Sequence, residues 1–362
     1  MHLKRQAAAF TANAAEEDIW SDRYSRQVRF APIGAEGQQR LSEACVLIVG
    51  AGALGASLAQ HMTRAGVGEI RLADRDFVEP SNLQRQMLFE EADALAALPK
   101  AVAAAAKLGR INRQLSIVPH VVDVNEHNVS ELVRGADLVL DGTDNGKTRL
   151  LMSDECFKQG IPFIYGGIVG SRGMSAALIP QRTACLRCLL DEEADEGENC
   201  DIAGVISPAV ELVASLQSVE ALKWLSGNRD DMRRTWISAD VWSFGLRESR
   251  LPAPFHSCPH CGGGIEAAAS GGEDETADES AVVLCGRDTI QVTLSRELPL
   301  ADTEKALTFR GCSVVVNPYL VKALLPTGEG LVAFPSGRVL VQGASGKERA
   351  VQLCRDYLLA GL

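Results

Sequence analysis

Short apolar runs alternate with stretches in which apolar residues recur at helical spacing. The runs at 46–49, 69–73, 116–121 and 138–140 predict strands, and the stretches at 56–65, 100–110 and 128–133 predict helices. Short apolar strands separated by helices imply a parallel sheet covered on both faces. Further strands at 163–165 and 174–179 predict an antiparallel continuation of that sheet. Between 210 and 225, Leu212, Val213, Leu216, Val219, Leu222 and Leu225 mark a core helix that stops at Gly227. Beyond 281 the pattern changes to strand-like runs at 282–284, 314–316, 331–334 and 339–341 with a closing helix over 347–360. Pro335-Ser336-Gly337 falls between the last two runs as a hairpin turn.

The first strand breaks into three spaced glycines, Gly50, Gly52 and Gly55, before the first helix. Strand, tight turn and helix N-terminus in that order suit a phosphate. Gly50 and Gly52 let the backbone turn and approach a ligand without a Cβ in the way, Gly55 lets helix pack on strand, and free N–H groups face the anion. Asp74 and Asp76 end the next strand, where an acid reaches a ribose hydroxyl. The fold class is therefore α/β: a Rossmann-like, mostly parallel sheet with an antiparallel continuation, plus a small C-terminal α+β module. A nucleotide is expected, and the glycines alone leave redox cofactor and ATP both open.

Composition narrows the classes. With 362 residues, 46% of them hydrophobic, the chain can bury one large core and a smaller one. A net charge of −11 argues against a nucleic-acid surface. No run approaches the roughly 18 apolar residues of a membrane span, and the Ala-rich start is interrupted by Gln6, Thr11 and Asn13, unlike a signal peptide. A cytoplasmic protein with a flexible N-terminus over 1–19 is expected. Of ten cysteines, four form two Cys-x-x-Cys pairs, Cys185 with Cys188 and Cys258 with Cys261. Four thiolates close a tetrahedral Zn2+ site, which predicts a structural role, with His256 and His260 as alternative ligands. The acidic, apolar-free stretch 191–199 is expected to be mobile, and 263–280 has the composition of a flexible linker ahead of the 281–362 module.

Several side chains favour phosphate chemistry. Residues 81–86, Ser-Asn-Leu-Gln-Arg-Gln, offer the Arg85 guanidinium with the Asn82 and Gln86 amides, which suit phosphate oxygens better than a nicotinamide ring. Lys100 follows Pro99 at a helix start, where anions gather. Strand 138–140 runs into Asp141-Gly-Thr-Asp144-Asn145, so these acids stand at the carboxyl end of a parallel strand, the place where open α/β sheets hold ligands. Asp144 is a candidate Mg2+ ligand, and capping the next helix is a compatible role for this turn. Metal, Lys100, Arg85 and Arg26 together would neutralise a triphosphate. Hydride transfer needs no such set.

In order, Arg-Tyr-x-Arg-Gln at 23–27, the glycine triplet, Asp74-x-Asp76, the 81–86 hexapeptide, Pro99-Lys100 and Asp-x-Thr-Asp-Asn at 141–145 resemble the ThiF/MoeB family, bacterial relatives of ubiquitin-activating enzymes. The resemblance spans residues 20–262, an adenylating domain that includes both cysteine pairs and the stretch from Cys200 to Val205. It implies adenylation, with ATP and Mg2+, of the C-terminal glycine of a small ubiquitin-like sulfur-carrier protein of ThiS or MoaD type ending in Gly-Gly. Thiamine thiazole or molybdopterin biosynthesis, a homodimer and a structural Zn2+ at the four cysteines are implied with it. Carried over by residue, Asp74 meets the ribose, Arg85 and Lys100 the phosphates, Asp144 the Mg2+, and Arg26 the phosphates held by a partner subunit; Asp76, Asn82, Gln86 and Asn145 complete the nucleotide site. In the thiazole branch a cysteine aligned with Cys200 joins the carrier through an acyl persulfide, while in the molybdopterin branch it is inert, and Asp201 and Glu198 beside it oppose a thiolate. Two departures stand out. Gly204-Val-Ile-Ser207-Pro208 replaces the Leu-Gly-Pro of many relatives, and no rhodanese-like module follows the cysteines, so a separate sulfurtransferase is expected. The 281–362 segment resembles the C-terminal extension of some Gram-positive members.

Three other readings remain at this point. An adenylating enzyme could take a ribosomal peptide's carboxylate instead. A nicotinamide oxidoreductase fits the glycine loop but not Arg85, Lys100 and Asp144. A catalytically silent zinc-stabilised interaction protein fits poorly with a full set of those positions.

Overall fold

The computed structural model describes residues 22–190, 204–262, 280–283 and 289–359. The N-terminal 1–19, the acidic stretch 191–199, Cys200 and nearly all of the 263–280 linker lie outside the described residues.

The apolar runs form an eight-stranded sheet: β1 (Cys45–Val49), β2 (Glu69–Asp74), β3 (Ser116–Val121), β4 (Leu138–Asp141), β5 (Phe163–Val169), β6 (Arg172–Leu178), β7 (Thr235–Asp240) and β8 (Gly245–Arg250). Their order is β3-β2-β1-β4-β5-β6-β7-β8, parallel through β5 and antiparallel beyond it. Side chains alternate across a strand, so β1 serves two cores at once. Val46 and Ile48 pack with Leu58, Met62 and Leu108 on one face, and Leu47 and Val49 with Phe163, Met152 and Phe157 on the other. That double burial explains the unbroken apolar run. None of the described helices is long and apolar enough to cross a membrane.

The helices that matter for the site are α1 (Gly34–Glu43), α2 (Ala53–Ala65), α3 (Lys100–Ile111), α4 (Gly146–Gln159) and α5 (Ser207–Leu225). α2 starts three residues before the apolar spacing suggests, because Gly52 itself is its N-cap and Gly55 lies inside the first turn. α5 also differs. Its buried stripe is Val210, Val213, Ala214, Gln217 and Ala221, while Val219 stays 49% exposed. The cause is close packing: a Cβ at Gly173 would meet Val213 at 2.3 Å and one at Gly166 would meet Gln217 at 2.4 Å, so the helix lies on a glycine-paved part of the sheet. Gln217, fully buried, donates from Nε2 to the carbonyls of Asp141 (3.0 Å) and Ile164 (2.9 Å), tying α5 to β4 and β5.

Residues beyond 280 form a second sheet: β9 (Ser280–Val283), β10 (Thr289–Thr293), β11 (Ser313–Asn317), β12 (Leu320–Leu324), β13 (Gly330–Ala333) and β14 (Arg338–Gln342), in the order β11-β12-β13-β14-β10-β9. α6 (Leu300–Phe309) and α7 (Lys347–Cys354) complete it, and α7 passes into a π-helical turn at Arg355–Leu359 where one continuous helix is expected. The turn between β13 and β14 forms as predicted, with Gly337 at φ +83°. β7, β8, β10 and β12 have no counterpart among the predicted strands. In β8 all six residues are exposed, so it carries no apolar alternation to read. Besides its own core, this sheet contributes Leu320, Val332, Phe334 and Leu340 to a cluster with Phe77 and Ala97 of the first sheet's layer.

Candidate functional site

β1 and β4 are neighbours whose following helices diverge, which makes their carboxyl ends the switch point of the sheet. Three glycines close it. A Cβ at Gly50 would sit 2.4 Å from the Gly142 carbonyl oxygen, one at Gly55 1.7 Å from the Gly50 carbonyl oxygen, and one at Gly142 2.7 Å from the Gly55 Cα. Gly50 also holds φ at +86°. Gly52 is different: its nearest neighbour in the Cβ direction is the Gln86 amide at 3.8 Å. Packing therefore requires glycine at 50, 55 and 142, whereas at Gly52 space is left above the uncapped N-terminus of α2, where an anion would sit.

The cavity over this point is lined by Gly50, Gly52, Asp74, Asp76, Arg85, Gln86, Lys100, Asp144 and Asn145 from the predicted set. Asp74 accepts N–H bonds from Ala51 (2.6 Å) and Asp76 (2.6 Å), linking the β2 end to the glycine loop. Burial pushes its carboxyl above the ordinary range, against the pull of Lys100. The Lys100 ammonium is 4% exposed and stands 3.2 Å from Asp76 Oδ2, while its backbone N–H donates to the Asp76 carbonyl (2.8 Å). Arg85 donates to the Ser81 carbonyl (3.2 Å). Gln86 is buried and its Oε1 has no partner among the described residues. Asp144 is exposed on the rim, and Asn145 caps α4 by accepting from Thr148 N–H (3.0 Å).

Three predicted residues lie elsewhere. Asn82 is buried but does not line the cavity; its side chain accepts the Glu79 N–H (3.1 Å) and caps the short 3-10 turn Pro80–Asn82. Gly55 is enclosed beneath the loop. Arg26 is exposed, with its neighbour Gln27 bonded to the Ala65 carbonyl (2.9 Å) at the far end of α2. Thirteen residues of helix, about 20 Å, separate that end from the glycine loop.

Other functional residues escaped the sequence reading. Arg149 donates to Asp141 Oδ2 (3.0 Å) and to the Thr143 carbonyl (2.5 Å), shaping the turn that carries Asp144. Burial pushes the Asp141 carboxyl up, with Arg149 and Thr143 holding against it. Arg75 bonds Asp123 (3.0 Å) across the β2 and β3 ends, and both line the cavity. The strand-end rule that found Asp74 would have found Asp123, two residues beyond β3. Of the charged side chains lining the cavity, the carboxylates Asp74, Asp76, Asp123 and Asp144 are matched by Arg75, Arg85, Lys100 and Arg149.

On the opposite side of the fold the Cys185, Cys188, Cys258 and Cys261 sulfurs all lie within 4.8 Å of one another. Three of the pairs are 3.7–3.8 Å apart. That is the edge, about 3.8 Å, of a tetrahedron with a metal–sulfur distance of about 2.3 Å, so the donor set fits Zn2+. His260 turns to Asp154 (3.3 Å) and His256 is exposed, leaving four cysteines as the ligand set.

Residues 24–260 match the ThiF family. The chain is 42% identical over 339 residues to the sulfur carrier protein ThiS adenylyltransferase of Bacillus subtilis, covering 93% of this chain and 99% of that protein. It is 38% identical over 250 residues to the SAMP-activating enzyme E1 of Haloferax volcanii, covering 68% of this chain and 90% of that one. The solved structure of Escherichia coli MccB with ATP has the same fold, with a TM-score of 0.58 at 23% identity over 67% of this chain and 74% of that chain.

Proposed function

The chain belongs to the ThiF family, and from that premise we propose that it is an ATP-dependent adenylyltransferase, a nucleotidyltransferase that activates the C-terminal carboxylate of a ubiquitin-like sulfur-carrier protein and releases pyrophosphate. The observation that carries this reading is the switch-point cavity, where a bare helix N-terminus and four cationic side chains surround space that only Gly52 leaves open. The relative of nearly equal length supports a ThiS-type carrier ending in Gly-Gly and the thiazole branch, in which Cys200 is the candidate for a covalent link to the carrier.

The carrier carboxylate is ionised near neutral pH, so no general base is needed. It attacks the α-phosphorus, and the residues' task is to hold negative charge while pyrophosphate leaves. Asp74 takes the ribose; Arg85, Lys100 and the α2 N-terminus take phosphate oxygens. Asp144 holds Mg2+, which when bound supplies charge to the phosphates. Lining charges that cancel leave no positive excess for a triphosphate, which favours a homodimer in which Arg26 serves the partner's cavity rather than its own. Zn2+ at the four cysteines is structural, and a separate sulfurtransferase delivers sulfur.

The test is ATP–pyrophosphate exchange with purified carriers. Exchange that requires an intact terminal Gly-Gly supports this function. Exchange driven by a ribosomal peptide moves the reading to peptide modification, and protection against heating by NAD but not ATP overturns it.

A further inference from the structure

The second sheet reaches the wall of the cavity through Arg338, the first residue of β14, which bonds the lining residue Arg75 without lining the cavity itself. The residue is buried, 8% exposed, with the guanidinium 3.7 Å over the Phe334 ring. One end donates to the Arg75 carbonyl, and Nη1 is buried with no hydrogen-bond partner among the described residues. Other tethers converge on the same wall. Gln291 donates to Asp123 (3.4 Å), Gln342 to Glu79 (3.0 Å), and Asn317 to the carbonyls of Ala96 and Ala97 (3.0 Å each), just before Pro99 and Lys100. Phe77, which pairs with Pro99 in an isolated bridge, is buried against this sheet's Leu320, Val332 and Leu340.

Resting on the adenylyltransferase reading, we propose that the C-terminal module completes the nucleotide site: Arg338 is a positioning residue that fixes the Arg75–Asp76 wall and adds the positive charge that the cavity lining lacks. The lining itself has four carboxylates against four cations, and the fully buried Asp141 behind it already occupies Arg149. Arg338 is buried beside Asp76, Asp123 and Asp74; burial brings it down to about 10, so it stays cationic at neutral pH while these acids hold it charged. Its bond to the Arg75 carbonyl fixes the peptide between two side chains that bind other parts of the wall: Arg75 to Asp123, and Asp76 to Lys100. Losing Arg338 therefore loosens Asp76 and, through it, Lys100. The consequence is read in nucleotide affinity, since Arg75, Asp76 and Lys100 all line the cavity.

The experiment uses the full chain and reads ATP binding by calorimetry alongside KM and kcat for ATP in pyrophosphate exchange. Arg338→Met should raise Kd and KM for ATP about tenfold, as expected for a lost hydrogen bond to a charged group, with kcat within about twofold. Arg338→Lys keeps the charge without the planar fork and should recover part of that loss. Leu307→Ala, in the module's own core away from the first sheet, should lower Tm and leave KM for ATP unchanged, which separates positioning from general support of the module. An unchanged KM in Arg338→Met, or an equal rise in Leu307→Ala, overturns the proposal. Wild-type protein that binds no ATP overturns the adenylyltransferase reading instead, whatever the variants do.

Discussion

The nucleotide cavity and the cysteine cluster are both knots of chemically active side chains, yet one is finished and the other is not. Around the cysteines, three sulfur pairs 3.7–3.8 Å apart already trace edges of a coordination shell, and His260 turns to Asp154 rather than competing. At the cavity, acids and bases cancel, Gln86 keeps an unpaired buried oxygen, and the space above Gly52 is empty of protein. A closed donor set suits a metal that stays; a balanced, partly unsatisfied one suits a ligand that comes and goes.

The widest break between the two regions should come from Asp144→Ala. Exchange should fall by about a thousandfold or more, because charge stabilisation of the leaving phosphates is the main work of the cavity, while a thermal melt stays at the wild-type Tm. Wild-type exchange by this variant would remove Asp144 from the mechanism. Cys258→Ser should do the reverse. Metal analysis should show loss of Zn2+, and the melt a loss of about 3 kcal/mol, with KM for ATP unchanged in the protein that remains folded. A Cys258→Ser protein with full zinc content would mean that the ligand set is wrong.

A finer probe is Gly52→Ala. The added methyl meets only open space and the Gln86 amide, so the fold should be untouched while KM for ATP rises roughly tenfold, about 1.4 kcal/mol. An unchanged KM would show that the ligand does not pass over Gly52. His260→Ala should have the smallest effect. Zinc content should stay at one per chain and stability should shift by less than about 1 kcal/mol, the range of a partly exposed polar contact. Loss of zinc from that variant would promote His260 to a ligand.

The first sheet is legible in the sequence because β1 and β4 are buried on both faces and so write continuous apolar runs, while in β2 the buried Ile70, Leu72 and Ala73 stand out beside half-buried Glu69 and Arg71. β8 faces solvent throughout and left no such trace. α5 is visible as a helix, and Val213 and Leu225 of its apolar set are buried, but much of its buried face is made by small residues and Gln217, which pack where glycines pave the sheet. Among site residues, those at strand ends or in the glycine loop were readable from position alone: Gly50, Gly52, Asp74, Asp76, Lys100 and Asp144 all line one cavity. Asn82 looked like a phosphate ligand because its neighbours Arg85 and Gln86 do line the cavity, and only its bond to the Glu79 N–H reveals a capping role. Arg338 had no local signal at all; it meets Arg75 across 263 positions of chain.

The mutual contact of Gly50, Gly55 and Gly142 has a consequence for how this sequence can drift. Each position is blocked by the backbone of another, so no one of them can gain a side chain while the other two stay put. Gly52 has no such guard, and under the proposed function only the ligand keeps it bare. A descendant that lost its nucleotide but kept its fold would retain the three interlocked glycines and let position 52 wander, so the identity of one residue would distinguish a working copy from a relic.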